Sequence, residues 1–589
     1  MKRRPIELDI APDGILRPVT ALAKNHGSRA NARAVVLAGV LVACGAWLGG
    51  GCAPAGAKDD AYFGDTTPPR GQVFTFNNGA EPEHLDPAVM SGQPDGRIAR
   101  LVFEGLCTAD PKTLEPRPGQ AARWDLSDDR LTYTFHLRPG LTWADGTPLT
   151  AQDFLWSWRR VLSPATGSRY ASFLYAVKNA EAFNKRELAD STQVGLAAPD
   201  DSTFVVTLAQ PTPYFLELAT FYTTLPTPRH VIEKLGDGWE HALRLVGNGP
   251  FRIVEWKSKD RFVLAPNERY WNRPVVKLEK IIALPIEELS TATNLYKAGA
   301  VDWNPSGYVP KQVIPFVQDK KDFAGGPYHA IYFYSIVVTR KPFNDPWVRR
   351  ALNAATDRES IARYVLKNTV PAWGNMTPMG YEGYTTPPGL KYDPAYAREC
   401  LAKAGYPGGK GFPKIEILFN TSEDHRRIAE AIQAMWKRDL GIPVALSNQE
   451  WASYLAATNA KEYDVARRSW IGDFRDPMTF LDMWVSGSGN NRTNWSDARY
   501  DALIRQATTE TDPARRLALL SEAESILLAD GPVIPIYHYT QSALVKPYVR
   551  GIHSTLLDVH PLTEVRIDHG GAGVTARDDA PALAGRGRR

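Results

Sequence analysis

Apolar and polar residues alternate with a period of two at several separated places in this chain, and each place predicts a half-buried strand. Leu131, Tyr133, Phe135 and Leu137 share one face of LTYTFHLR, and Ile415, Ile417 and Phe419 share one face of KIEILFN. QVFTFNN, beginning at Gln72, alternates in the same way, and order is expected to start there. FVVTL (204–208), KLEKIIALP, PVALS, the β-prone IYFYSIVV (331–338) and PVIPIYHY add further strands. FRIVEW and RFVLAPNERYW read as a hairpin around a polar turn at 257–260.

Between these strands the apolar period changes to that of a helix. TPLTAQDFLWSWRRVL carries Thr150 as N-cap with Asp153 at the capping-box position. Pro346 opens another helix behind Asp345, and ELSTATNLYKAG and ARRLALLSEAESILLAD supply two more. Ile428, Ile432, Met435 and Leu440 line one face of a helix that Gly441 ends. Flanked by KIEILFN and PVALS, this last helix makes a βαβ unit, so the fold class is α/β. No internal repeat is present.

The polar residues of Asn420–Trp484 fall at the ends of these strands. The strand YDVARRSW runs into a Gly-Asp turn, which sets Asp473 three residues after Trp470. Arg467, His425 and Trp451 are its candidate neighbours. Ligands of open α/β sheets bind at such strand ends. Each residue also has a plainer reading by itself. Asp473 suits a turn, Arg467 beside Arg468 suits a surface ion pair with one of the two solvated, and His425 suits a helix cap. Trp451 and Trp470 suit a core, and Tyr170 suits either a loop or a cleft.

At 589 residues the chain exceeds one core, and its 43% hydrophobic and 23% charged content is that of a globular protein. Sixteen Trp are available for cores or for the walls of a ligand cleft. The first 33 residues hold seven basic and three acidic side chains, which accounts for the whole formal charge of +4. The body is therefore neutral, and no nucleic-acid partner is implied. An uncharged run from Ala34 to Cys52 follows that basic flank, as in an export leader or a membrane anchor. Cys44 and Cys52 both end lipobox-like stretches, so residues 1–52 are expected to be a signal or lipoprotein leader and 53–70 a flexible tether. Only Cys107 and Cys400 lie in the body, without metal-ligand spacing, and their pairing stays open. HExxH, GxSxG and Walker motifs are absent, so no enzyme and no cofactor is expected.

Several separated segments carry a family resemblance. They are FNNGAEPEHLDP (76–87), LVFEGL (101–106), FHLRPGLTWADGTPLTAQDFLWSWRRVLSP (135–164), GNGPF (247–251), YWN (270–272), KPFNDPWVRRAL (341–352) and LVKPYVRG (544–551), together with Asn420–Trp484. The chain resembles the substrate-binding proteins of bacterial peptide ABC importers over about residues 72–565, and within them the oligopeptide-binding branch. The resemblance implies a two-lobed, type II periplasmic-binding-protein-like fold that closes on a peptide. Lobe I would comprise 71–103, 230–329 and 541–568 with an extra subdomain at 104–229, lobe II would be 330–540, and 569–589 a disordered tail. Crossings near 329 and 540 would form the hinge.

Asp473 matches the carboxylate that pairs with the peptide's α-amino group. Arg467 and His425 match basic positions near the peptide's C-terminal end, and Asn420, Trp451, Trp470, Tyr170 and Tyr539 match cleft-lining positions. The chain departs from that branch at Ser91, Ser335, Thr458 and Ala543, which are neutral where charged residues are usual. The middle of the ligand should therefore be read differently. The resemblance implies a protein that captures short peptides for a membrane permease; a monomer is expected, associated with the membrane through its N-terminal lipid or anchor. A specialised relative for murein peptides, signalling peptides or another small solute, or a non-transport peptide receptor or holdase, is the alternative.

Overall fold

The structure is a computed structural model and describes residues 61–570 apart from Pro213, Ala242 and Leu243. The expected leader, with Cys44 and Cys52, and the tail beyond 570 lie outside the described residues. A ten-stranded mixed sheet runs through both lobes. β1 (Val73–Asn77), β2 (Phe251–Lys257), β3 (Arg261–Pro266), β4 (Lys280–Leu284) and β5 (Trp303–Asn304) form its first half. β6 (Phe323–Ile336) leads into the second half, which holds β7 (Ile415–Asn420), β8 (Val444–Gln449) and β9 (Val465–Ile471), and β10 (Val533–Val545) returns. The strand order is β8-β7-β9-β6-β10-β5-β1-β4-β3-β2.

β6 and β10 pair antiparallel from Phe323–Leu544 to Ser335–Val533, with the register lapsing between Pro327 and Ile331. One end of the pair borders β5 at Val545, and the other borders β9 at Tyr334–Arg467. The two strands thus tie both lobes together. They are longer than IYFYSIVV and PVIPIYHY suggest, because pairing with Gln541–Leu544 extends FAGGP, a Gly-Gly-Pro stretch that reads locally as a turn.

A second, antiparallel sheet of Ala121–Leu126, Thr132–Leu137, Thr203–Thr207 and Leu196–Ala197 belongs to the first lobe. The helix Ala151–Leu162 lies on it, with Trp158 edge-on to Phe204 at 5.3 Å. Its Asp153 carboxylate accepts the Thr150 amide at 2.8 Å, the expected capping arrangement. Tyr133, Phe135 and Leu137 are buried on one face as their spacing requires. The lobe II core gathers Ile417, Phe419, Ile428, Ile432, Met435 and Leu440 with Tyr332 and Ile536 of the crossing strands.

Two expectations need correction. Residues 61–70 are docked, not tethering. The amides of Phe63 and Gly64 donate to the buried Asp322 carboxylate at 2.9 and 3.1 Å, and Lys546 Nζ donates to the Asp65 carbonyl at 2.6 Å. A carboxylate buried under β6 needs donors, and this segment supplies them. In the other correction, neither arginine of the Arg467-Arg468 pair is solvated, since both are buried. Cys107 and Cys400 are buried free thiols.

Candidate functional site

β8, β7 and β9 run parallel, and all three carboxyl ends open into one cleft. β7 lies between β8 and β9, so the chain leaves it in one direction and returns on its other side, which is where a crevice forms in such sheets. Asn420 ends β7, Trp451 follows β8, and Asp473 follows β9. His425 sits in the first turn of the helix Glu423–Leu440, and Tyr539 belongs to β10. Tyr170 comes from the first lobe, just before the turn Ala171–Leu174. All eight residues singled out in the sequence line one cavity of about 220 Å³.

Asp473 holds a buried carboxylate that the protein satisfies only in part. Its amide donates to Thr479 Oγ1 at 2.9 Å, but its carboxylate oxygen Oδ2 is shut off from solvent without a hydrogen-bond partner. Burial, reinforced by the charge of Asp482, pushes its pKa well above the ordinary carboxylate value, and Arg100 across the cleft only partly offsets this. Among the described residues Asp473 forms no ion pair, and Arg100 is the cation that faces it.

Arg467 is the complementary feature. Its guanidinium donates to Asn420 Oδ1 at 3.1 Å and to the Tyr539 hydroxyl at 2.9 Å, and lies 4.7 Å from the centre of the Tyr332 ring. Its Nε has no partner, and it makes no ion pair among the described residues. His425 stands beside it, with Nδ1 3.4 Å from the Tyr332 hydroxyl. Burial and the Arg467 charge hold the His425 pKa well below the ordinary histidine value, so the imidazole is neutral. It offers a hydrogen bond rather than the positive charge its basic type suggested. Lys311, buried with Nζ unpartnered, adds a cation from the first lobe.

Aromatic rings make the walls. Trp470 stacks on Tyr170 across the cleft at 6.3 Å, and Tyr170 packs against Phe173, Phe221 and Tyr222. Trp451 stacks on Tyr454 at 5.8 Å. The indole nitrogens of Trp451 and Trp470 have no acceptor, which leaves two donors for a ligand.

The sequence reading missed Arg100, Lys311, Arg468 and Arg492 as cleft residues. Arg100 lies on the helix Gln93–Val102, and Lys311 and Arg492 lie outside any helix or strand. No periodicity marks them. The adjacency of Arg468 to Arg467 was a usable signal, because consecutive strand residues flanking a strand-end site both stay near it.

The lobes are closed on each other. Glu423, at the start of the lobe II helix, accepts the Leu289 and Ser290 amides at 2.9 and 3.2 Å and also the Ser290 hydroxyl. It thereby caps the lobe I helix Leu289–Lys297, whose first amides have no partner within the helix. Asp424 accepts the Lys311 amide at 3.2 Å, and Arg475 pairs with Glu217 at 3.2 Å. Opening the cleft removes a helix cap worth about 1 kcal/mol. Glu423→Ala should therefore weaken ligand binding about fivefold by favouring the open form. Small-angle scattering of the unliganded protein should show a larger radius than the wild type, and identical scattering and affinity would rule the latch out.

Two lobes meeting over a charged, aromatic-walled cleft define a solute receptor of the binding-protein class. The chain belongs to the bacterial extracellular solute-binding proteins, family 5, whose sequence profile matches residues 115–492. It is 36% identical over 538 residues to the periplasmic oligopeptide-binding protein OppA of Escherichia coli, covering 88% of this chain and 95% of that one. Haemophilus influenzae OppA in complex with RPPGFSPFR superimposes with a TM-score of 0.81 at 33% identity, covering 85% of this chain and all of that one. The murein tripeptide binding protein MppA of Escherichia coli gives a TM-score of 0.80 at 34% identity, over 85% of this chain and 99% of that one, whereas its unliganded open form gives 0.55. The arrangement of lobes here is thus not that open one. Among the described residues no helix is long and apolar enough to cross a membrane, and no cluster of His, Cys, Asp and Glu is arranged to hold a metal.

Proposed function

We propose that this protein captures short peptides in the interlobe cleft and delivers them to the membrane permease of an ABC importer. The observation that carries the reading is the Asp473 carboxylate, shut from solvent with an unpartnered oxygen in a cleft that also holds the unpaired cation Arg467. A zwitterionic peptide supplies both missing charges at once: its ammonium to Asp473 and its carboxylate to Arg467, with His425 as a hydrogen-bonding neighbour. Enclosing either ligand charge unpaired would cost several kcal/mol, so the two anchors together select for free peptide ends. Asn420 and Tyr539 orient the Arg467 guanidinium, and Tyr170, Trp451 and Trp470 wall the space between the anchors.

Capture needs no bond chemistry, only a bound state that favours closure. The protein acts as a monomeric receptor outside the cytoplasmic membrane, tied to it through the leader.

The test is to denature the purified protein and identify what it releases by mass spectrometry. Intact short peptides with free amino ends are expected. A non-peptide solute, or cleavage of a peptide panel on incubation, would overturn the reading.

A further inference from the structure

Beyond the two anchors, the cleft holds a second concentration of positive charge. Arg468 and Arg492 are 4% and 6% exposed and both line the cavity. Arg468 donates to the Asn490 carbonyl at 3.3 Å and lies 5.7 Å from the centre of the Phe333 ring. Arg492 donates to Thr458 Oγ1 at 3.1 Å, and its Nε has no partner. Arg169, the neighbour of Tyr170 in the chain, donates to Ser91 Oγ at 2.9 Å and lies 3.6 Å from Glu83. The other acid on that side, Asp95, is occupied by the amides of Glu83, Ser91 and Gly92. Among the described residues neither Arg468 nor Arg492 forms an ion pair. Burial, followed by repulsion from Arg468 and Arg169, lowers the Arg492 pKa to about 9.

Two buried guanidinium groups with only neutral acceptors are costly unless something brings an anion. The neighbouring protein side chains do not supply one: Ser335 bonds to the Tyr463 hydroxyl at 3.0 Å, and Thr458 and Ser91 offer hydroxyls. The pair also has a definite place relative to the amino-end anchor. Asn490, whose carbonyl accepts from Arg468, donates from Nδ2 to the Arg169 carbonyl at 3.5 Å. The next residue, Tyr170, stacks on Trp470, three residues before Asp473, so the arginines lie toward the amino-end anchor.

We propose that Arg468 and Arg492 form an anion subsite that takes an acidic side chain from the first two residues of the bound peptide. This rests on the reading of the cleft as a peptide site. Planar guanidinium groups favour a carboxylate over its amide isostere, because only the carboxylate accepts on both oxygens.

Titration calorimetry with Glu-Ala-Ala and Ala-Glu-Ala against Gln-Ala-Ala and Ala-Gln-Ala tests the proposal. At one of the two positions, Glu should bind about tenfold or more tightly than Gln. The preference should persist when both peptides are C-terminally amidated, which separates a side-chain carboxylate from the peptide's own terminus. Arg492→Met and Arg468→Met should each shrink the Glu-to-Gln ratio toward one. Both should melt no lower than wild type in the unliganded state, since each removes an unpaired buried charge. Equal binding of Glu and Gln peptides, or a ratio preserved in both variants, overturns the subsite while leaving the peptide site standing. Failure of every peptide in the panel to bind would overturn the peptide reading itself, and the subsite with it.

Discussion

Asp473→Asn should lose peptide binding while the protein stays folded. Removing one partner of a buried charge pair costs about 2–5 kcal/mol, so the affinity should fall by roughly thirtyfold to several thousandfold. The unliganded variant should melt at or above the wild-type temperature, because the empty site holds a carboxylate that burial disfavours. The pH dependence has the corresponding sign. The folded state holds the Asp473 proton more tightly than the unfolded state, so this group adds stability to the empty protein as pH falls through its raised folded value. Peptide affinity moves oppositely and weakens over that interval, as the anchor becomes neutral. Calorimetry across neutral to mildly acidic pH reads both effects. Wild-type affinity in Asp473→Asn would refute the assignment.

Arg467→Met should have the second largest effect and should act on the other end of the ligand. The guanidinium is held by Asn420 and the Tyr539 hydroxyl in a pocket without an ion pair, so a bound carboxylate is its strongest available partner. Loss of a charged hydrogen bond to a buried partner costs about 1.5–3 kcal/mol, or roughly tenfold to a hundredfold in affinity. The wild type should discriminate against C-terminally amidated peptides by a comparable factor. In Arg467→Met that discrimination should vanish, because the carboxylate no longer has its partner. A variant that still prefers the free carboxylate would place the C-terminal contact elsewhere, with Lys311 the next cation in the cleft.

Local patterning in the sequence marked most of the sheet and helices, and the segments at 76–87, 135–164 and 341–352 carried the family. The cleft was legible where its residues sit at strand ends. Asn420, Trp451 and Asp473 each follow a short apolar run, and parallel pairing of β7 with β8 and β9 brings their ends together. Three features escaped local reading for the same reason, that long-range contacts decide them. FAGGP becomes strand because Gln541–Leu544 lies beside it, and residues 61–70 dock because Asp322 needs donors more than 250 residues away in sequence. Arg492 reaches the cleft from a loop whose position no periodicity encodes. Charge state was equally hidden: His425 has a basic side chain but is neutral beside Arg467.

The central claim is that Asp473 holds a peptide's amino end. The most direct measurement is the calorimetric affinity of one tripeptide, Ala-Ala-Ala, with its amino end free and with it acetylated. Acetylation removes the positive charge that would pair with Asp473, so affinity should fall by at least thirtyfold in the wild type. In Asp473→Asn the free and acetylated forms should bind about equally. Equal binding of the two forms by the wild type would contradict the claim.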